Sequence, residues 1–366
     1  MSNILLVKMS SMGDLVHCFP ALSDAARQGH RFDWVVEEAF VDLAALHPAV
    51  DEVYPISLRR WRKTPTASLA EFAGFVRHLR QKRYDSALDA QGLIKSGVIT
   101  RIANAADRLG LAANSAREPL GTKFYNKHFE IDRGQHAIDR LRLLFGAALS
   151  YQVDLSETQP IDLRAGALSP SAAPIEPPSE RSTQRGLAQR PVILLQGTSW
   201  ASKEYPVQGW CQLARELARR SDRELLLISS DASEHSRARE IAASVRTEVP
   251  QLQTPAPEPL MQVIDRIVGA SLVVGVDSGL THLAAVLGLP TIGLYGPTSA
   301  QLTGARGPLA RNAASDFACA PCQKRECSYH GEPQTMVGQV VRPACFAQFA
   351  AGELLDSVAD VWPAES

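Results

Sequence analysis

Three short stretches of this chain hold residue types that do chemistry, and each follows an apolar run. The first is Lys8-Met9-Ser10-Ser11-Met12-Gly13-Asp14. Ile4-Leu5-Leu6-Val7 precedes it and reads as a buried parallel strand. Leu15, Val16, Phe19 and Leu22 follow at helical spacing. Strand, tight turn and helix place Asp14 at or near a helix N-terminus, on the strand's carboxyl side. Open α/β sheets bind their ligands at that edge. Capping by Ser11 or Asp14 accounts for the same residues. Ser10 or Ser11 can cap as well as Asp14, which leaves the carboxylate for chemistry.

The second stretch, Val274-Gly275-Val276-Asp277-Ser278-Gly279-Leu280-Thr281-His282, repeats the pattern. Free amides at Ser278, Gly279 and Leu280 would attract a phosphate. Asp277 repels one, and fits better as an acceptor for a hydroxyl or amide. The third, Gln196-Gly197-Thr198-Ser199-Trp200-Ala201-Ser202-Lys203, ends another apolar run. Its hydroxyls and lysine suit a diphosphate.

Two further clusters stand out. Arg59-Arg60-Trp61-Arg62-Lys63 sets four cations around one tryptophan, a pattern for nucleic acid or for phosphates on an anionic lipid. Lys95 and Arg117 can join it only through the fold. Cys319-x-x-Cys322, with Cys327 and Cys345 beyond it, has spacing that can hold zinc. No second C-x-x-C completes the pattern. Cys18 and Cys211 fall in apolar helical patterns and read as core.

The elements that must position these residues alternate. In the first half, strands are predicted at Phe32–Val36, Val53–Ile56 and Ser86–Asp89. Helices are predicted at 68–83, from about Ile94 to Ala105, and at His136–Leu149. Residues 165–190 are rich in Pro, Ser, Arg and Gln and read as a linker. A second series follows, with strands at Val192–Leu195, Glu224–Ile228, Leu272–Val276 and Thr291–Tyr295. Helices are expected around Trp210–Leu217, at 234–245 and at Leu280–Leu287, with a last one over 346–362. The pattern predicts an α/β chain with two doubly wound, Rossmann-like domains facing a central cleft. The expected division is 1–165, linker 166–190, 191–345, and a C-terminal helix in 346–366.

Composition agrees with a soluble globular protein. The chain has 366 residues, 45% hydrophobic, with net charge −1. That balance implies no polyanionic partner such as nucleic acid. No run approaches the roughly 20 apolar residues of a membrane span. No signal-peptide pattern is seen, so a cytoplasmic location is expected. A nicotinamide enzyme is disfavoured because no G-x-G-x-x-G follows a predicted strand.

The first turn resembles the K-x-S-S-M-G-D opening of the lipopolysaccharide heptosyltransferases. Phe32–Glu38, Arg59–Lys63, Asp89-Ala90-Gln91-Gly92-Leu93-Ile94-Lys95-Ser96 and Ala116–Leu120 resemble the first-acting enzyme of that set. Asp277-Ser278-Gly279-x-x-His282 and Tyr295-Gly296-Pro297-Thr298 resemble the family at large. The Cys319 region is more like other members. The resemblance implies an inverting glycosyltransferase of the GT-B type, its last helix crossing back to the first domain. It implies ADP-L-glycero-β-D-manno-heptose as donor and Kdo2-lipid A as acceptor, met at the cytoplasmic face of the inner membrane.

An inverting displacement needs one base and no carboxylate nucleophile. Asp14 is the expected base and Lys203 the expected charge on the leaving ADP. The expected donor set is Thr198, Ser199, Lys203, Glu234, Asp277, Ser278, Gly279 and His282. The expected acceptor set is Ser11, Arg59, Arg60, Arg62, Lys63, Gln91, Lys95 and Arg117. No Asp-x-Asp pair occurs, so no metal is expected at the diphosphate, and no cofactor.

Overall fold

A computed structural model describes residues 3–63, 65–156, 159–163 and 190–363 of the chain. The chain divides into two compact units, Met1–Glu157 with Ile161–Ala167, and Thr158–Pro160 with Leu168–Ser366. The linker expected at 166–190 lies, save for Arg190, outside the described residues.

The first unit holds one six-stranded parallel sheet. Its strands are β1 (Asn3–Val7), β2 (Arg31–Glu37), β3 (Val50–Ile56), β4 (Tyr84–Asp89), β5 (Ala105–Leu111) and β6 (Lys127–Phe129). They lie in the order β3-β2-β1-β4-β5-β6, every pair parallel. The central strands are continuous apolar runs because helices cover both faces. Leu5, Val7, Val35, Tyr54, Ile56 and Leu79 pack into one core. Elsewhere in the unit, Arg142 Nε donates to Asp24 Oδ2 at 2.6 Å, both side chains buried. That pair joins the Phe19–Arg27 helix to the Ala137–Leu149 helix. Arg27 Nη2 also donates to Asp24 Oδ1 at 2.6 Å, so loss of Asp24, which takes the carboxylate from the buried Arg142, should cost more than loss of Arg142.

The second unit repeats the plan with β7 (Val192–Leu195), β8 (Leu225–Ile228), β9 (Leu252–Gln253), β10 (Leu272–Val276), β11 (Thr291–Tyr295) and β12 (Ala310–Ala314). Their order is β12-β11-β10-β7-β8-β9, again all parallel. A two-stranded antiparallel hairpin, β13 (Thr335–Met336) and β14 (Gln339–Val340), stands apart from it.

The last helix is shorter than expected, Ala351–Asp356 instead of 346–362. Ser357 Oγ donates to the Leu354 carbonyl at 2.6 Å, a group that a further helical turn would use. Turns then carry Val358 and Trp362, with Leu354 and Leu355, into the core of the second unit around Trp210 and Leu217.

Candidate active site

In each sheet the first strand lies beside the fourth, and the direction in which successive strands are added reverses at that pair. Such a switch point opens a crevice at the strands' carboxyl ends. In the first unit it falls between β1 and β4, in the second between β7 and β10. All three chemistry-bearing turns leave from these four strands.

At the first switch point Asp14 occupies the third position of a short helix, Met12–Val16, with Ser11 as N-cap. Asp14 Oδ2 accepts from both the Ser11 N–H and the Ser11 Oγ–H at 2.9 Å. Lys8 Nζ stands 3.4 Å from Oδ1. The serine therefore does not release the carboxylate from capping; Asp14 shares in the cap, and the Ser11 hydroxyl is spent on it. Packing around the carboxyl favours the neutral acid. Lys8, the Ser11 N–H and His17 outweigh it and hold the pKa down at about 2. Asp14 is thus ionised at neutral pH, with its side chain 48% exposed.

The turn after β4 holds this one in place. Gln91 Oε1 accepts the Met9 N–H at 2.8 Å, and Gln91 Nε2 donates to the Ser10 carbonyl at 3.1 Å. The Gln91 amide is used once at each end, and through these two bonds it braces the Asp14 turn. Below it, fully buried Asp89 accepts from the Gln91 and Gly92 amides at 2.7 and 3.0 Å and from Tyr125 Oη at 2.6 Å. Burial raises the Asp89 pKa despite those donors. Gly92 has φ +68°, a conformation that L side chains rarely adopt.

The basic run begins in the short helix Leu58–Trp61 after β3 and ends in the turn that follows, with Arg62 at the C-cap and Lys63 beyond it. Its members do not act alike. Arg60 is held between Glu71, at 2.8 Å, and Glu38, at 3.2 Å, while Trp61 Nε1 donates to Glu71 at 2.8 Å. Arg60 therefore shapes the segment and has little charge to spare. Glu37, the buried end of β2, lies within the electrostatic reach of both Arg59 and Lys95. Burial raises the pKa of Glu37, and the two cations oppose that rise. Glu118 accepts the Ile94 N–H at 2.8 Å and so brings the Arg117 loop to the helix start that carries Lys95. Arg59, Arg62, Lys63 and Arg117 are exposed.

At the second switch point Lys203 Nζ lies 2.8 Å from Asp277 Oδ2, and His282 Nε2 lies 3.1 Å from Asp277 Oδ1. All three side chains are largely buried. Burial opposes ionisation of Asp277, but His282 and Lys203 hold its pKa far below the usual carboxylate range. The Lys203 ammonium also rests over the Trp200 ring, 4.6 Å from its centre. Ser278 stands at the N-cap position of the Gly279–Val286 helix without a side-chain cap hydrogen bond. Thr281 Oγ1 gives its proton to the Val276 carbonyl at 2.7 Å, so the Ser278 hydroxyl donates to Thr281 at 3.1 Å.

Glu234 belongs to the same edge. Its carboxylate accepts from the Ser230 N–H and Oγ–H at 2.7 Å, and Gln196 Nε2 donates to the Glu234 carbonyl at 2.9 Å. A Cβ on Gly197 would come within 2.7 Å of that carboxylate, so glycine permits the approach. Thr198 and Ser199 continue the loop, half-buried and exposed respectively.

Lys8, Asp89 and Trp200 stand among these groups although sequence reasoning assigns them no role. The signal for all three is their place inside the quoted stretches; nothing in spacing shows what each of them touches.

Residues 72–332 match glycosyltransferase family 9 (heptosyltransferase). The chain is 39% identical over 333 residues to lipopolysaccharide heptosyltransferase 1 of Pseudomonas aeruginosa, covering 89% of this chain and 87% of that protein. The E. coli heptosyltransferase WaaC with ADP superposes with a TM-score of 0.73 at 33% identity, over 86% of this chain and 93% of that one. The same enzyme with ADP-2-deoxy-2-fluoro heptose gives 0.71 at 32%, with the same coverage. The two Rossmann-like sheets are those of a GT-B fold, and the chain belongs to glycosyltransferase family 9, the heptosyltransferases.

Proposed function

We propose that this chain transfers L-glycero-D-manno-heptose from ADP-L-glycero-β-D-manno-heptose to the Kdo of Kdo2-lipid A, inverting the anomeric carbon. The observation that carries the reading is the ionised Asp14 at the first switch point, braced through Gln91. Asp14 takes the proton of the acceptor hydroxyl as its oxygen attacks the anomeric carbon. The bond from that carbon to the ADP oxygen breaks, and the electron pair leaves with the diphosphate. Lys203 and the amides at Ser278 and Gly279 meet that charge. Asp277 and His282 position Lys203. Thr198, Ser199 and Glu234 take the nucleotide side of the donor.

Arg59, Arg62, Lys63, Lys95 and Arg117 hold the phosphates and carboxylates of the acceptor, since guanidinium forks suit both. On this reading the first unit serves the acceptor and the second the donor. A lipid acceptor requires peripheral contact with the cytoplasmic face of the inner membrane. Among the described residues no helix is long and apolar enough to cross one.

Mass spectrometry of Kdo2-lipid A incubated with enzyme and ADP-heptose tests the reading. The expected product is heavier by one heptose. Transfer only to a lipid that already carries heptose would overturn the acceptor assignment and support a later-acting enzyme.

A further inference from the structure

Lys203 alone brings little net charge to the crevice of the second unit. Its Nζ lies 2.8 Å from Asp277 Oδ2, and both side chains are largely buried. Seen from a bound ligand, that ion pair is close to neutral. The diphosphate of a nucleotide sugar is already an anion, and breaking its bond to the sugar adds to the charge. The amides at the start of the Gly279–Val286 helix supply only partial positive charge. A second full cation beside Lys203, free of a carboxylate partner, would balance it.

Arg325 meets both conditions. Its guanidinium lies 5.7 Å from the centre of the Trp200 ring, and the Lys203 ammonium lies 4.6 Å from the same centre. The two cations therefore stand against one indole. Their backbones are tied together as well. The N–H of buried Ser202 donates to the Arg325 carbonyl at 3.1 Å, and Ser202 Oγ donates to the Lys324 carbonyl at 2.6 Å. Ser202 directly precedes Lys203, so the loop that carries Arg325 is fixed to the turn that carries the lysine. Among the described residues Arg325 has no ion pair, and its side chain is exposed. A guanidinium held against a ring keeps its N–H fork free for a phosphate.

We propose, on the reading that this crevice takes ADP, that Arg325 binds the diphosphate beside Lys203 and is the unpaired cation that meets the charge on ADP as it leaves. Trp200 keeps the guanidinium within a side-chain swing of the ammonium. Lys203, neutralised by Asp277, fixes where the diphosphate lies. Arg325 supplies the charge that the buried pair does not.

Calorimetry with ADP on the full chain tests the assignment. Arg325→Met keeps a stem against Trp200 and the carbonyl that Ser202 uses, and removes the charge. It should weaken ADP binding about tenfold, the lower end of the range for a hydrogen bond to a charged group, with Tm unchanged. Arg325→Lys should recover part of the loss, and the loss should shrink as salt rises. Turnover of ADP-heptose should fall with the affinity. Arg325→Gln, a second neutral side chain, gives the same reading if the Met variant does not fold. A neutral variant that binds ADP as tightly as the unaltered chain would overturn the role of Arg325 and leave the donor reading standing. A loss that Arg325→Lys does not relieve would also overturn it, since packing and not charge would then be at work. An unaltered chain that fails to bind ADP would overturn the donor reading, and the role of Arg325 with it.

Discussion

Lys203 and Asp277 stand 74 residues apart in sequence (277 − 203) and 2.8 Å apart in space. Their ion pair links the loop after β7 to the turn after β10 across the second switch point. Replacing Lys203 by Ala should weaken ADP binding by about 1.5–3 kcal/mol, the range for a hydrogen bond to a charged group. Calorimetry with ADP reads this directly. The variant also leaves Asp277 with His282 alone, so its carboxyl pKa should rise.

Asp14→Asn should lower turnover by about 10²–10⁴-fold, the usual worth of a positioned base. The amide keeps the shape of the cap at Ser11, so the circular dichroism spectrum and ADP affinity should hold. A variant with most of its turnover would remove Asp14 from the reaction.

Lys8 sets the pH range in which that base works. With a folded pKa of about 2, the Asp14 contribution to stability is present above the ordinary carboxylate value of 3.8 and is lost as pH falls toward 2. Lys8→Met removes the leading group that lowers this pKa and leaves burial opposed by Ser11 and His17. The acid limb of kcat/KM should therefore move to higher pH. The Ala90 carbonyl, 3.2 Å from Lys8 Nζ, also loses a donor. The cost is about 1–3 kcal/mol, readable as a lower Tm.

The basic run divides by partner. Arg59→Ala with Arg62→Ala should raise the KM for Kdo2-lipid A and leave ADP affinity unchanged. The effect should shrink as salt rises, since exposed charges are screened over about 8–10 Å. Arg60→Ala should act through Glu38, Glu71 and Trp61 instead, loosening the segment, so its effect should respond weakly to salt.

The strands that carry the chemistry are legible because a buried parallel strand is a plain apolar run. Ile4–Val7, Val192–Leu195, Leu272–Val276 and Thr291–Tyr295 all read directly. Four strands at or near the sheet edges carry few apolar residues and do not. Ala105–Leu111 contains Asp107 and Arg108, and its first residue reads as the end of a helix; the structure stops that helix at Ile102. Lys127–Phe129, Leu252–Gln253 and Ala310–Ala314 are edge strands with few apolar side chains. At the site, residue types are legible and pairings are not. Nothing in the local sequence shows that Arg60 is claimed by Glu38 and Glu71, or that the Gln91 amide is used at each end. These are contacts between distant elements, made only when the strands reach register.

Each unit closes its own sheet in the same strand order, with its own crevice and its own polar turn. On the proposed reading, the sugar given and the molecule that receives it are specified by separate stretches of gene. A crossover between two related genes near codon 160 would then exchange the recipient and leave the nucleotide sugar unchanged. A lineage could vary the surface glycan it builds by recombination, without redesigning the catalyst.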